Sequence, residues 1–324
     1  MGIFNRLLRA VKRIVVAFLI MGALVALLFY YIIYHAPMVP SSYANETETG
    51  GPIEAAYLAF GGMTVKAMKE KMDKPTDRFV AYYPEEMEKG EGKYPVVMVV
   101  NGTGVFANKA KALFEHLASW GFIVVGNHDG NTASGASAKE TMAHLIELNE
   151  TEGSVFYGKV DTAKMGITGH SQGGSGVVNV LSDKETGGMY KCAVVLSPVD
   201  PSLAGAINMG YDASKVRVPV LLLGGTEKDV ISLAGLDTVY AKMPVEKVMA
   251  RRVGAGHEEM LYSADGYVTA WMMYYLKDDE KAGRAFWGEV AELNDNALYC
   301  DQKRWQPTDS CKVAEGELTV PTEG

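Results

Sequence analysis

Basic residues are missing where a nucleic-acid-binding chain needs them. No long Lys/Arg stripe occurs beyond the N-terminus and the net charge is −8, which argues against nucleic acid as a partner. His, Cys and carboxylate residues nowhere fall in close pairs with ligand spacing on a clear framework, so no metal is expected. No G-x-G-x-x-G follows the first strong strand and no Walker lysine follows GHSQGG, so no nucleotide cofactor is implied. No internal repeat is visible. Cysteine is limited to Cys192, Cys300 and Cys311. Cys192 opens the apolar run CAVVL and reads as a buried core thiol. Cys300 and Cys311 flank a short polar stretch that a disulfide would close in an oxidising compartment.

One long hydrophobic run is present. Ile14 to Tyr34 carry no charge, and their length is close to the ~20 residues that cross a bilayer as a helix. Arg6, Arg9, Lys12 and Arg13 precede the run, and no Lys or Arg follows it until Lys66. This asymmetry predicts a cytosolic basic segment at 1–13, a membrane anchor at 14–34 and an extracytoplasmic remainder. The alternative is a cleaved signal peptide and a secreted product, but the run is long and ends in an aromatic belt, Phe29, Tyr30, Tyr31 and Tyr34. Residues 35–54 are polar with Pro, Ser, Asn, Thr and Gly, and predict a solvated linker.

From residue 55 to 299 short β-branched runs alternate with longer amphipathic ones. Pro95–Val100, Phe122–Gly126, Lys164–Thr168, Cys192–Leu196, Val218–Leu223 and Lys247–Val253 read as strands. Helical stretches fall at Lys109–Trp120, Lys139–Asn149, Ser171–Leu181 and Tyr267–Leu276. Such alternation predicts an α/β fold with a mostly parallel central sheet flanked by helices. Residues 300–324 read as the disulfide loop and a loose tail.

Gly169-His170-Ser171-Gln172-Gly173 matches G-x-S-x-G and lies between the strand KMGIT and the helix SGVVNVL. This placement makes Ser171 the candidate nucleophile: a strand-to-helix turn lifts the hydroxyl above the sheet, and the helix start turns free amides toward it. A serine hydroxyl is a weak nucleophile, so it needs a histidine to take its proton and a carboxylate to orient that histidine. Among six histidines only His257, in GAGHEEM, follows both the serine and a strand-end carboxylate. The strand VPVLLLGG ends in Thr226-Glu227-Lys228-Asp229; Asp229 is preferred as the acid, with Glu227 and then Asp200 as alternatives. The oxyanion amides are assigned to Gln172 and, from the loop Asn101-Gly102-Thr103-Gly104, to Thr103. His128, in GNHDGN, is a candidate for the pocket wall.

These residues resemble the polyester-hydrolase and cutinase-like branch of the α/β-hydrolases. The similarity runs from about Pro95 to Leu276 through NGTG, WGFIVV, YGKVDTAKMGITGHSQGG, GGTEKDVI and GAGH. It implies an α/β-hydrolase fold, the triad Ser171, Asp229 and His257, an oxyanion hole of Thr103 and Gln172 amides, and a C-terminal disulfide resembling Cys300 with Cys311. No cofactor is implied. Where that family clamps a flat acyl group between aromatic residues, this chain has Thr103, His170 and Val199, so the clamp is absent. The expected activity is carboxylic-ester hydrolysis on a small or polymeric ester. Acyl transfer or peptide hydrolysis would use the same triad, and a non-catalytic binding scaffold would carry a broken one.

Overall fold

The computed structural model describes residues 2–35, 38–72 and 78–307. Nine strands form one sheet in the order β1-β2-β4-β3-β5-β6-β7-β8-β9. They are β1 (Val65–Lys71), β2 (Arg78–Pro84), β3 (Tyr94–Val100), β4 (Ile123–Asn127), β5 (Val160–His170), β6 (Cys192–Leu196), β7 (Val220–Glu227), β8 (Lys247–Gly256) and β9 (Tyr299–Trp305). From β4 through β8 every pairing is parallel, whereas β1–β2, β2–β4 and β8–β9 are antiparallel. The parallel strands are buried along their apolar stretches, as continuous Val/Leu runs require when helices cover both faces.

Side-chain alternation divides the core into two layers. Val97 and Val99 of β3 face one layer with Phe114, Trp271 and Phe286, while Val96, Met98 and Val100 face the other with Met142, Val177 and Leu236. The α-helices are α1 (Gly2–His35), α2 (Tyr43–Glu46), α3 (Pro52–Leu58), α4 (Lys111–Ser119), α5 (Ala136–Glu150), α6 (Gln172–Ser182), α7 (Pro201–Ala204), α8 (Leu233–Lys242), α9 (Asp265–Lys277), α10 (Glu280–Gly283) and α11 (Glu292–Asp295). Within α1 the segment Arg9–Leu28 is long and apolar enough to cross a membrane, and none of it is buried against the rest of the chain.

Two sequence expectations need correction. Residues 38–54 are no solvated linker: the Met38 and Val39 amides donate to Lys109 O at 3.0 and 3.2 Å, and Val39 and Tyr43 are buried in the core. Glu54, also buried, bonds Arg252 at 3.0 Å, Asn296 at 2.8 Å and Tyr299 at 3.0 Å, and Arg252 reaches back to Glu48 O at 2.6 Å. A few anchors inside a polar stretch hold this strap, and composition averages them away. The region after residue 299 is likewise no loop at its start, because β9 closes the sheet edge. Cys300 lies in β9 and is a free thiol pushed up by burial, with Sγ 3.3 Å from Asp301. Cys311, its expected partner, lies outside the described residues. Cys192 is fully buried against Met272, and burial pushes its thiol up as well.

Candidate active site

The C-terminal ends of β3, β5, β6, β7 and β8 meet at one rim. β5 stops at His170, α6 starts at Gln172, and Ser171 between them is held at φ 59°, ψ −125°. This left-handed backbone is costly for a residue with a Cβ and presents the side chain outward from the turn. The flanking glycines are steric requirements. A Cβ on Gly169 would lie 2.5 Å from Gly173 O, and one on Gly173 would lie 2.1 Å from Val100 O. Because α6 begins directly after Ser171, its first amides have no partner within the helix and face the serine side of the turn.

His257, on the loop after β8, brings Nε2 to 2.9 Å from Ser171 Oγ and Nδ1 to 2.8 Å from Asp229 Oδ1. The carboxylate can only accept, so Nδ1 carries the proton and the Nε2 lone pair is left facing the serine hydroxyl. Asp229 Oδ2 accepts from Ser197 Oγ at 2.6 Å and the Gly225 amide at 2.7 Å, and the Val230 amide donates at 2.7 Å to Oδ1, the oxygen that faces His257. Burial would raise the Asp229 carboxyl, but the bonds from His257, Ser197 and Gly225 outweigh it and hold it below its usual range. Ser197 escaped the sequence reading; its only signal is a serine at the end of the strand CAVVL, adopting φ 40°.

Of the two rival acids, Asp200 is engaged elsewhere. Asp200 caps α7 through the Ser202 amide and bonds Ser232 N and Oγ at 3.1 and 2.8 Å. Glu227 is exposed.

His170, expected at the pocket wall, is instead a buried support beneath His257. Its Nε2 donates to His257 O at 2.8 Å and the two rings lie 4.5 Å apart. Burial, reinforced by neighbouring His257, pushes the His170 imidazole down to about 3, so it remains neutral. Gln172 is buried, and its Oε1 accepts from the Thr132 amide at 2.7 Å while Nε2 lies 3.7 Å from Met209 Sδ. Thr103 sits in an exposed turn after β3. The base of that turn is stitched by Asn101 Nδ2, which donates to Asn127 O at 2.9 Å and Asp129 O at 3.1 Å. Val199 is buried, its carbonyl accepting from Tyr211 OH at 2.7 Å, and His128 packs 5.9 Å from the Phe106 ring. A cleft of about 600 Å³ lined by Ala133, Ser134, Gly205 and Met209 opens on the side where Met209 touches Gln172. Among the described residues no group of three His, Cys, Asp or Glu side chains is arranged to hold a metal ion.

The mostly parallel sheet flanked by helices accords with the sequence comparisons. The profile of a family described as PET hydrolase-like matches residues 66–297. The chain belongs to this family. Cutinase cut1 of Thermobifida fusca is 27% identical to this PET hydrolase-like chain over 257 residues, 75% of this chain and 75% of its own length. Cutinase 2 of Thermobifida cellulosilytica is 28% identical over 211 residues, 62% of this chain and 74% of its own. A bis(hydroxyethyl) terephthalate hydrolase of Streptomyces coelicolor is 23% identical over 207 residues, 62% of each. The PET hydrolase-like chain is an ester-bond hydrolase of the cutinase-like α/β type.

Proposed function

We propose that the chain cleaves carboxylic esters with Ser171 as nucleophile, His257 as general base and Asp229 as the acid that orients it. The observation that carries this reading is the continuous line of contacts at 2.8 and 2.9 Å from Asp229 through His257 to Ser171 Oγ. His257 Nε2 takes the serine proton as Oγ bonds to the ester carbonyl carbon, and the carbonyl electron pair moves onto oxygen. The amides of Gln172 and Thr103 hold that oxyanion. Collapse breaks the carbon–oxygen bond to the alcohol, which leaves with the proton from His257. Water then gives its proton to the same nitrogen and its oxygen to the acyl carbon; Oγ departs, regains the proton, and the free acid is released.

Polymeric esters suit a cutinase-like hydrolase, while Thr103, His170 and Val199 offer no aromatic clamp for a flat acyl group. The substrate is therefore read as an ester with an aliphatic acyl part. The same reading takes residues 14–34, within α1, as an uncleaved anchor with the catalytic part outside the cytosol. The cationic residues before the apolar run and their absence after it, as far as Lys66, support it.

Incubation with a fluorophosphonate probe followed by peptide mapping tests the nucleophile. Modification at Ser171 is expected, and Ser171→Ala is expected to lower ester turnover by about 10⁴-fold or more with an unchanged fold. Near-normal turnover in Ser171→Ala overturns the mechanism.

A further inference from the structure

The membrane anchor joins the domain on the rim that carries the serine. Lys109 O, which receives the Met38 and Val39 amides, ends the short helical turn Ala107–Lys109. That turn follows the loop Asn101–Gly104 directly, so the first fixed point after the anchor neighbours the proposed oxyanion loop. The strap then stays bound. Tyr43 OH donates to Asp265 at 2.5 Å, its ring lies 5.8 Å from Tyr262, and Glu48 O and Glu54 hold Arg252. Tyr262 and Arg252 flank His257 in sequence, which extends the strap's attachment along the catalytic rim.

The leash between bilayer and rim is short. The anchor read from the sequence ends at residue 34; counted even from Leu28, where the apolar window ends, the helix runs to His35 over about 10 Å at 1.5 Å per residue, an upper bound. Three peptide steps from His35 to Met38 add at most about 11 Å. A domain of roughly 270 residues has a radius of gyration of about 18 Å and is about 50 Å across. A leash of about 20 Å is shorter than that diameter, so the opposite end of the sheet cannot turn to the bilayer. A solvated linker over residues 35–54 would have allowed any orientation.

The same rim exposes large apolar side chains. Leu203 (46% exposed) and Ile207 (45%) stand on the segment after β6, and Val230 (38%), next to Asp229, on the loop after β7. Asp200 ties these two loops together through Ser232. Exposed apolar groups on a surface held beside a bilayer gain by entering its interfacial zone.

We infer that the rim is a lipid-facing surface and that the enzyme hydrolyses esters whose acyl chain resides in the bilayer holding its own anchor. This rests on the esterase and anchor readings above. Leu203, Ile207 and Val230 seat the rim in the interface, and the acyl chain of a membrane amphiphile passes from the leaflet to Ser171 without crossing bulk water.

The test reconstitutes the full chain in phosphatidylcholine vesicles and compares hydrolysis of p-nitrophenyl palmitate dissolved in the bilayer with that of p-nitrophenyl acetate in water. A flexible Gly/Ser insert of about 20 residues between His35 and Met38 lengthens the leash and leaves the strap in place. The expected result is a fall of about tenfold in the palmitate-to-acetate ratio, with acetate turnover within about twofold of the parent. The double variant Leu203→Asp, Ile207→Asp is expected to lower the same ratio on the original leash. An unchanged ratio in both variants overturns the lipid-facing rim. Acetate turnover that survives Ser171→Ala overturns the esterase reading instead, whatever the ratio, and an N-terminus found by mass spectrometry beyond residue 35 overturns the anchor.

Discussion

Among the described residues His257 pairs with Asp229 at the rim and His116 with Asp265 under the strap, and of these two pairs the first faces the proposed nucleophile. His257 Nδ1 lies 2.8 Å from Asp229, and its Nε2 looks onto Ser171 Oγ. His116 Nδ1 lies 2.7 Å from Asp265 with both side chains fully buried, but its Nε2 bonds Ala59 O at 3.0 Å. A carbonyl can only accept, so both nitrogens of His116 serve as donors, which favours the imidazolium. Burial alone would lower His116; Asp265, with the Ala59 and Leu58 carbonyls, outweighs it and raises the imidazole above its ordinary value. What separates a proton acceptor from a structural cation is the partner of the second nitrogen. The hydroxyls repeat the lesson: Ser171 meets the imidazole and can lose its proton to it, whereas Tyr43 donates to the carboxylate and stays bound.

The same substitution at the two carboxylates sharpens the contrast most. Asp229→Asn removes the charge that orients His257 and is expected to lower kcat by about 10⁴-fold with the fold retained, measured by ester kinetics and circular dichroism. Asp265→Asn leaves the His116 cation without its counter-charge and is expected to cost about 3 kcal/mol of stability in urea unfolding. Turnover per folded molecule should stay near the parent value. A kinetic loss of hundreds-fold in Asp265→Asn, with native stability, would show that the two pairs are not so divided.

The rim and the strap also differ in how far the sequence discloses them. Gly169-His170-Ser171-Gln172-Gly173 is legible because its glycines answer a local steric demand, the 2.1–2.5 Å approaches that any Cβ would violate. The parallel strands are legible because burial on both faces leaves continuous apolar runs such as VVMVV and CAVVL. Nothing comparable marks β1, half exposed with Lys66, Lys69 and Lys71 along it, or β9, whose CDQKRW carries its sheet pairing in the backbone. The strap is illegible for a related reason: Tyr43 meets Asp265 and Glu54 meets Arg252 across about 200 positions of chain, and no local periodicity reports such pairs. His170 was legible as a site residue but not in its role, since its partner is a main-chain carbonyl.

A smaller effect tests the serine that pattern reading missed. Ser197→Ala removes one of the donors holding Asp229 Oδ2 while the Gly225 amide remains at 2.7 Å. One hydrogen bond to a charged acceptor is worth about 1.5 kcal/mol, so kcat is expected to fall about tenfold with KM little changed. The pH at which the Asp229 carboxyl protonates, followed by NMR of its carboxyl carbon, should move upward, because losing a donor lets the carboxyl rise toward its usual value. Unchanged kcat and an unchanged carboxyl titration would reduce Ser197 to a packing residue.

The remaining contrast is one of sign. His116 is held above its ordinary value of about 6.5, so its contribution to stability is complete below that pH and drains away as pH rises through the folded value. His170 is held down at about 3, so its folded form refuses a proton that the unfolded chain accepts. Between about 6.5 and 3 the unfolded state binds the extra proton, and stability falls on acidification by up to about 1.4 kcal/mol per pH unit. Denaturant unfolding of His170→Phe across pH 6 to 4.5 should therefore be flatter than the parent curve, while His116→Gln should flatten only the limb that begins at the ordinary imidazole value of about 6.5 and runs upward from it. If His170→Phe leaves the acid slope intact, the imidazole beneath His257 is already charged in the native protein, and its ring cannot be a neutral support for the catalytic loop.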